Sequence, residues 1–240
     1  MITIALEEVN KIYPGVTENQ VLFDINLSFE SNSCIAIVGE SGSGKSTLMN
    51  IMGILDTPTS GEIIIDDMPV SSMNKKQLAG LRNSAIGFVF QFHYLLPEFT
   101  VKENVLMPHL IRESRASKQA EERARSLLDM VGILRLENKM PQQISGGEQQ
   151  RTAIARALMN NPRIILADEP TGNLDSVTTQ KVCGIFRDIK ERFHTTFIVV
   201  THDRSVASHT DRIVEVKDGR VISDKSNDTG SGLSGQASHK

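Results

Sequence analysis

The chain has 240 residues, enough for one large domain or two small ones with a substantial buried core. Its 26 basic and 29 acidic residues give a net charge of −3, and 39% hydrophobic residues is ordinary for a globular protein. These values exclude a chain that is disordered throughout, and a protein that wraps duplex nucleic acid or adheres to an anionic membrane by charge alone.

The first 70 residues or so are predicted to be rich in short strands. Residues 2–9 alternate apolar and polar side chains, which is typical of a half-buried strand and unlike a signal peptide. Turn residues separate this segment from further predicted strands at 21–29, 35–38 and 62–66. The two cysteines, Cys34 and Cys183, are interpreted as small buried hydrophobic residues of a protein from a reducing compartment.

Helical patterns dominate the middle of the chain, and strand patterns return after it. Residues 118–131 carry apolar side chains at three- and four-residue spacing, so we predict an amphipathic helix packed on the core. Strand-like runs at 164–168, 195–201 and 212–216 follow, with a helix between the first two. Apolar strands alternating with helices predict a parallel sheet covered on both faces.

Two further features concern the C-terminal segment and the absence of a membrane-spanning run. Residues 224–240 hold one large apolar side chain, Leu233, so we predict a flexible tail there. No apolar run approaches the roughly 18 residues that a membrane-spanning helix requires. If the protein acts at a membrane, we expect another chain to cross it.

A glycine-rich segment links the predicted strand at 35–38 to a helical pattern. It reads Gly39-Glu40-Ser41-Gly42-Ser43-Gly44-Lys45-Ser46-Thr47 and matches G-x-x-x-x-G-K-[ST]. Glycines let consecutive N–H groups point inward at an anion, and the following helix adds its positive end. Lys45 is then placed to reach terminal phosphates and Ser46 to ligate Mg²⁺. A plain glycine turn is the disfavoured alternative, because it does not require this full pattern.

Two carboxylates, Asp168 and Glu169, lie at the end of the strand-like run at 164–168. Ligands of open α/β sheets bind at the carboxyl ends of strands, where Asp168 and Glu169 are predicted to lie. Asp168 is placed to hold Mg²⁺ through its water shell, and Glu169 to polarise a water that attacks a γ-phosphate. Alone, two acids after a strand more often form a solvated turn. Together with the glycine-rich segment they favour a nucleotide site.

A second glycine-containing helix start lies at Ser145-Gly146-Gly147-Glu148. It could bind an anion through its N–H groups. It could equally be a plain helix cap, since Ser145 with Glu148 three residues later is a capping box. The two interpretations are compatible, and both stay open at this point.

The ordered set of motifs resembles the ATP-binding cassette family over residues 1–223. The matching segments are GESGSGKST at 39–47, Gln91 after the run GFVF, ISGGEQQ at 144–150, IILADEP at 164–170, GNLD at 172–175 and His202 after FIVVT. The resemblance implies an α/β fold: a RecA-like P-loop NTPase core, an antiparallel β subdomain, and an α-helical signature subdomain at about 85–160.

The resemblance also implies roles for single residues. Tyr13 would stack on adenine, Gln91 would touch Mg²⁺ or the attacking water, and His202 would hold the γ-phosphate. Ser145, Gly146 and Gly147 would contact nucleotide bound by a second copy of the chain, and Asp175 would lie at that seam. From the residues alone, Tyr13 could instead be a core tyrosine, Gln91 a polar strand end, and His202 a surface histidine.

The implied activity is ATP hydrolysis with Mg²⁺ by a head-to-tail dimer that drives integral membrane permease subunits, without nucleic acid. The implied location is the cytoplasmic face of the bacterial inner membrane, as a peripheral protein.

Within the family, QFHYLLPEFT at 91–100 looks most like the lipoprotein-releasing branch. EQQR at 148–151 looks more like macrolide or peptide exporters, and a cell-division ATPase that regulates a membrane partner without transport is a further alternative. Residues 92–100, aromatic and leucine-rich, are either the docking surface for the membrane subunits or a buried connection.

Overall fold

Two β-sheets form the framework of the protein. A computed structural model describes residues 2–15, 18–172 and 175–227 of the chain. A four-stranded antiparallel sheet has the order β2-β1-β4-β5, and its strands are β1 (Ile2–Tyr13), β2 (Asn19–Glu30), β4 (Ser60–Ile65) and β5 (Met68–Pro69). A six-stranded sheet has the order β10-β9-β3-β8-β7-β6, and its strands are β3 (Cys34–Val38), β6 (Ile86–Phe90), β7 (Ile164–Asp168), β8 (Thr196–Val200), β9 (Arg212–Lys217) and β10 (Arg220–Ser226).

Helices cover the six-stranded sheet and build a separate layer beside it. Their bounds are α1 (Lys45–Met52), α2 (Lys75–Ala85), α3 (Val101–Arg112), α4 (Lys118–Met130), α5 (Gly146–Ala157), α6 (Ser176–Phe193) and α7 (Arg204–Ala207). Short 3₁₀ turns occur at Val70–Ser72, Leu134–Leu136 and Pro141–Gln143. Within the described residues, none of these helices combines the length and apolarity needed to span a bilayer.

Alternate side chains of the central strands enter two different cores. Ile164 and Leu166 of β7 pack with the antiparallel sheet and α1, whereas Ile165 and Ala167 pack with the helices on the opposite face. This alternation is the period of two that a strand imposes on its side chains. The predicted parallel sheet covered on both faces is confirmed; only β9 and β10 pair antiparallel within it.

The sheet register determines where the functional segments meet. Along the parallel pairs, Phe90 of β6 lies beside Asp168 of β7, and Asp168 lies beside Val200 of β8. Val200 in turn lies beside Ile37 of β3. The residues after these four strands, at their carboxyl ends, are therefore neighbours in space, as expected for a ligand site of an open α/β sheet.

Residues 86–90 form a strand that pairs with β7, so Gln91 follows the end of a strand. The structure corrects the predicted start of the C-terminal tail. The tail does not start at residue 224, because β10 continues to Ser226 on β9, and Arg212 Nε donates to Asp224 Oδ1 at 2.6 Å. A composition poor in apolar residues does not exclude an edge strand held by backbone pairing and an ion pair. Residues 228–240 lie outside the described residues.

Candidate functional site

The glycine-rich segment forms a tight loop between β3 and α1. Gly44 is the residue before α1. Its φ of 99° is a left-handed backbone conformation, which glycine adopts without strain. At Gly39 a Cβ atom would lie 2.1 Å from the carbonyl oxygen of Val216, so only glycine allows this approach of loop and β9. The loop is fixed at its first glycine by the sheet and at its last by the helix.

Lys45 points into the centre of this loop. Its Nζ donates to the carbonyl oxygens of Gly39 at 2.8 Å and Glu40 at 2.6 Å. Lys45 is 8% exposed. Burial lowers its pKa, and the nearby carboxylates of Glu169 and Asp168 oppose that shift. A cation is thus held inside a glycine-rich loop at the start of a helix, an arrangement that suits a phosphate chain.

The two predicted carboxylates lie opposite Lys45 but differ in their surroundings. Burial raises the pKa of Asp168, Glu169 raises it further, and Lys45 and a hydrogen bond with Ser46 oppose the shift. Glu169 has φ of 43°, and its carboxylate accepts from Thr201 Oγ1 at 3.1 Å and from the His202 backbone N–H at 3.0 Å. Asp168 therefore faces Ser46 of the loop, whereas the end of β8 orients Glu169.

His202 is the direct partner of Glu169. Its Nδ1 lies 2.7 Å from Glu169 Oε1, and its side chain is 72% exposed, compared with 16% for Glu169. The sequence predicts both residues separately. Their contact follows from the register of β7 and β8, which places the residues after the two strands side by side.

A cavity of about 620 Å³ joins these groups. Its lining contains ten of the predicted site residues: Ser41, Gly42, Gly44, Lys45, Ser46, Thr47, Gln91, Asp168, Glu169 and His202. Gly39 and Ser43 lie just behind the lining, since Gly39 O and Ser43 Oγ both face the Lys45 ammonium. The glycine-rich loop, both carboxylates, the glutamine and the histidine therefore share one site.

The signature segment lies outside this lining. Ser145 caps α5, and Glu148 Oε2 in return accepts from the Ser145 N–H at 2.9 Å, so the predicted capping box is present. A Cβ atom on Gly147 would lie 2.9 Å from Thr178 Cγ2. Thr178 Oγ1 donates to Asp175 Oδ2 at 2.7 Å. Gly147 and Asp175 thus belong to one surface, which is separate from the chain's own cavity.

Tyr13 lies at the end of β1, beside the loop and not in the lining. It is 37% exposed, so it is not a core tyrosine. Its hydroxyl donates to Asp56 Oδ2 at 2.7 Å, and the Thr47 side chain also faces the hydroxyl.

Oxygen donors at the cavity fit a hard divalent cation. Ser46 and Asp168 contact each other, and Gln91 lines the same cavity. Hydroxyl, carboxylate and amide oxygens suit Mg²⁺, which is commonly bound by one or two carboxylates together with substrate phosphates. A cation there would also favour the ionised form of Asp168, whose pKa burial raises.

The sequence prediction missed two residues that shape the site. Thr201 is fully buried and holds Glu169 through its hydroxyl. A Cβ atom on Gly172 would lie 2.9 Å from Gln91 Nε2, so this glycine leaves room for the glutamine side chain. A threonine that ends an apolar run just before His202 was the available signal for Thr201. Gly172 belongs to the motif GNLD at 172–175, but its proximity to Gln91 depends on the fold.

The fold and the cavity define a P-loop nucleotide-hydrolysing protein, with the six-stranded sheet as its core. Residues 22–172 match the family model described as ABC transporter, and the chain belongs to this family. It binds ATP and is an ATPase. The predicted fold class, a RecA-like core with an antiparallel β subdomain and a helical signature subdomain, is confirmed.

The relatives are similar over almost the whole chain. "Lipoprotein-releasing system ATP-binding protein LolD" of Shewanella denitrificans is 47% identical over 218 residues, covering 90% of this chain and 93% of the relative. The LolD of Bacteroides fragilis is 47% identical over 219 residues, covering 91% and 100%. The solved dimeric ATP-binding cassette MJ0796, in a post-hydrolysis state bound to ADP and Pi, has a TM-score of 0.85 and 42% identity, covering 93% of this chain and 98% of that one.

Proposed function

We propose that this ABC ATPase is the energy-coupling subunit of a lipoprotein-releasing transporter at the cytoplasmic face of the bacterial inner membrane. The observation that carries the proposal is the 47% identity, over nine tenths of the chain, to proteins named as LolD. In this role two copies bind ATP between them and drive permease subunits of the LolC/LolE kind.

The cavity supplies the chemistry of hydrolysis. The loop N–H groups and Lys45 bind the phosphate chain, and Glu169 accepts a proton from the attacking water. His202 and Thr201 orient the Glu169 carboxylate, and His202 is placed to reach the γ-phosphate. Mg²⁺, held by Ser46, Asp168 and Gln91, would neutralise phosphate charge when bound.

A head-to-tail dimer accounts for the position of the signature segment. Ser145 caps α5, and Gly146 and Gly147 form its first turn, whose N–H groups favour an anion. They lie outside the lining of the chain's own cavity, so the phosphate they contact is that of a second copy. Asp175, held near Gly147 through Thr178, lies at the same seam.

An apolar groove of about 450 Å³ is the proposed docking site for a cytoplasmic segment of a permease subunit. Its lining includes Leu55, Tyr94 and Ile111, which are 46%, 63% and 72% exposed. Large apolar side chains exposed in one groove are typical of an interaction site. Of the predicted docking segment 92–100, Tyr94 lines this groove, while Phe92 and Phe99 are exposed outside the lining.

Arg156 of α5 connects this groove to the ATP site. It lines the groove and donates to the carbonyl oxygens of Tyr94 at 2.7 Å and His93 at 2.5 Å. Burial lowers the pKa of Arg156 to about 10. Since His93 is two residues from Gln91, a permease segment that moves Tyr94 acts on the backbone next to a proposed catalytic residue.

We expect Ile111→Asp to reduce co-purification of the permease subunits by about tenfold or more, because a carboxylate would be buried in an apolar interface. The measurement is recovery of membrane subunits with the tagged chain from detergent-solubilised membranes. Ile222→Asp is the matched control, since Ile222 is 54% exposed on β10, outside the groove lining. Equal recovery of the permease with both variants would place the docking surface elsewhere.

The changes Leu95→Ala and Phe99→Ala test the predicted docking segment separately from the groove. We expect weakened assembly with the membrane subunits and an unchanged melting temperature of the isolated chain for Phe99, which is 37% exposed. Leu95 is half-buried, so its variant also needs the melting temperature to distinguish lost packing from lost docking. Normal assembly of both variants would limit the docking surface to the groove.

The identity of the co-purified membrane chain also tests the branch of the family. A permease with a large periplasmic domain that, together with this chain, releases lipoproteins from reconstituted vesicles supports the proposal. Recovery of a division protein without transport, or of an exporter of macrolides or peptides, would replace it. EQQR at 148–151 is the sequence feature that favours the exporter alternative.

A further inference from the structure

A polar cluster holds Tyr13 from two sides. The Lys11 ammonium lies 4.6 Å from the centre of the Tyr13 ring. The Tyr13 hydroxyl donates to Asp56 Oδ2 at 2.7 Å, while Lys11 Nζ donates to Asp56 Oδ1 at 2.6 Å. One carboxylate thus binds the ammonium with one oxygen and the phenol with the other.

The cluster is more buried than a surface ion pair. The side chains of Lys11 and Asp56 are 10% and 27% exposed. Burial alone raises the pKa of Asp56, but hydrogen bonds from Lys11, Tyr13 and the Thr57 N–H outweigh it and lower the pKa. Lys11 Nζ also donates to the Thr57 carbonyl at 2.8 Å. Charge-assisted hydrogen bonds in partly buried surroundings are stronger and more rigid than exposed ones.

These contacts limit how the tyrosine can move and bind. With its hydroxyl tied to Asp56, the ring cannot change χ1 without losing that bond. With the ammonium over one face, a ligand can stack on the opposite face only. The Thr47 side chain faces the same hydroxyl, so the ring is fixed directly beside the phosphate-binding loop.

We propose that Lys11 and Asp56 are positioning residues that hold the Tyr13 ring in the orientation that stacks on the adenine of ATP. The proposal rests on the adenine-binding role of Tyr13. Neither residue needs to contact the nucleotide. Their effect is to reduce the rotamer freedom that the ring would otherwise lose when ATP binds.

A purely structural role predicts different behaviour. If the Lys11–Asp56 pair only ties β1 to the turn after α1, its loss would disturb the loop proposed to bind phosphate, because Thr47 at the end of that loop faces Tyr13 of β1. Affinity for any polyphosphate would then fall. If the pair positions the ring, only ligands with a base are affected.

The experiment compares MgATP with inorganic tripolyphosphate, each titrated calorimetrically into the full-length chain. We expect Tyr13→Ala to weaken ATP binding by about tenfold, the loss typical of a base–aromatic stack. Lys11→Met and Asp56→Asn should weaken it by about three- to fivefold, since the ring remains but is no longer fixed. Tripolyphosphate affinity should stay within about twofold in all three variants, because none of them changes the phosphate-binding loop. Asp129→Asn, at an exposed position of α4, is the matched control.

Each alternative result has a separate meaning. If Tyr13→Ala weakens ATP binding but Lys11→Met and Asp56→Asn do not, the Tyr13 ring does not need the pair for its orientation. The proposal is then overturned, while the role of Tyr13 in stacking on adenine is retained. If Tyr13→Ala has no effect, the adenine role of Tyr13 fails. If Lys11→Met and Asp56→Asn weaken ATP and tripolyphosphate equally, the pair is structural and the proposal is again overturned.

A spectroscopic measurement tests the positioning contact without nucleotide. The chain has two tyrosines and no tryptophan, so in a Tyr94→Phe background Tyr13 is the only tyrosine. Burial raises the pKa of Tyr13, and the hydrogen bond to Asp56 raises it further. We expect Asp56→Asn to shift the ultraviolet titration of the phenol to lower pH. An unchanged titration would mean that Asp56 does not hold the ring in solution, which would overturn the proposal.

Discussion

The substitution Glu169→Gln is expected to reduce ATP turnover by about 10²- to 10⁴-fold, the range associated with losing a general base. Glutamine has the size of glutamate, and its single amide oxygen can still accept from the His202 N–H, which contacts Glu169 at 3.0 Å. Its NH2 group can donate to the Thr201 hydroxyl, which contacts Glu169 at 3.1 Å. It cannot take a proton from water. The variant should therefore bind ATP normally and accumulate an ATP-dependent dimer, measured by size-exclusion chromatography with light scattering.

Glu122→Gln is the control for this change. Glu122 lies on α4, its side chain is 68% exposed, and its partner Lys118 is 93% exposed, so its loss should not affect turnover. Persistent full activity in Glu169→Gln would remove Glu169 from the role of base. Loss of ATP binding in the same variant would instead show that the glutamate is needed to build the cavity.

The glycine-rich loop and the carboxylates were predictable because their information is local. The pattern G-x-x-x-x-G-K-[ST] between a strand and a helix is typical of an anion-binding loop, so Lys45 and Ser46 could be placed from neighbouring residues alone. Asp168 and Glu169 follow an apolar run whose pattern identifies the carboxyl end of a strand. The structure places both carboxylates at the cavity, as that pattern predicts.

Contacts between distant segments could not be predicted in the same way. His202 binds Glu169 because β7 and β8 pair in one register, and Gln91 joins them because β6 pairs with β7. Periodicity gives the strands but not their order in the sheet. A short apolar run such as 86–90 is typical of either a buried helix or a strand, and its pairing with β7 identifies it as a strand.

The cluster at Tyr13 shows a further limit. Lys11 and Asp56 are separated by 45 residues, and neither belongs to a motif of the phosphate site. Charged side chains on a strand and in a turn would ordinarily be assigned to a solvated surface. Lys11 and Tyr13 contact Asp56 only because the fold brings β1 and the turn after α1 together.

Replacement of Lys45 by alanine is expected to weaken ATP binding by about 10- to 100-fold, the effect of losing one or two hydrogen bonds from a buried cation to phosphate. The ammonium already lies inside the loop, where it donates to Gly39 O and Glu40 O. ATP would exchange these two carbonyl partners for charged oxygens without moving the lysine far.

Calorimetric titration of MgATP measures the effect, and Lys118→Ala, at a side chain that is 93% exposed, is the control. Because Lys45 also ties the loop together, the melting temperature of the ligand-free variant must be measured in parallel. A folded Lys45→Ala variant with unchanged ATP affinity would contradict the assignment of this loop as the phosphate site.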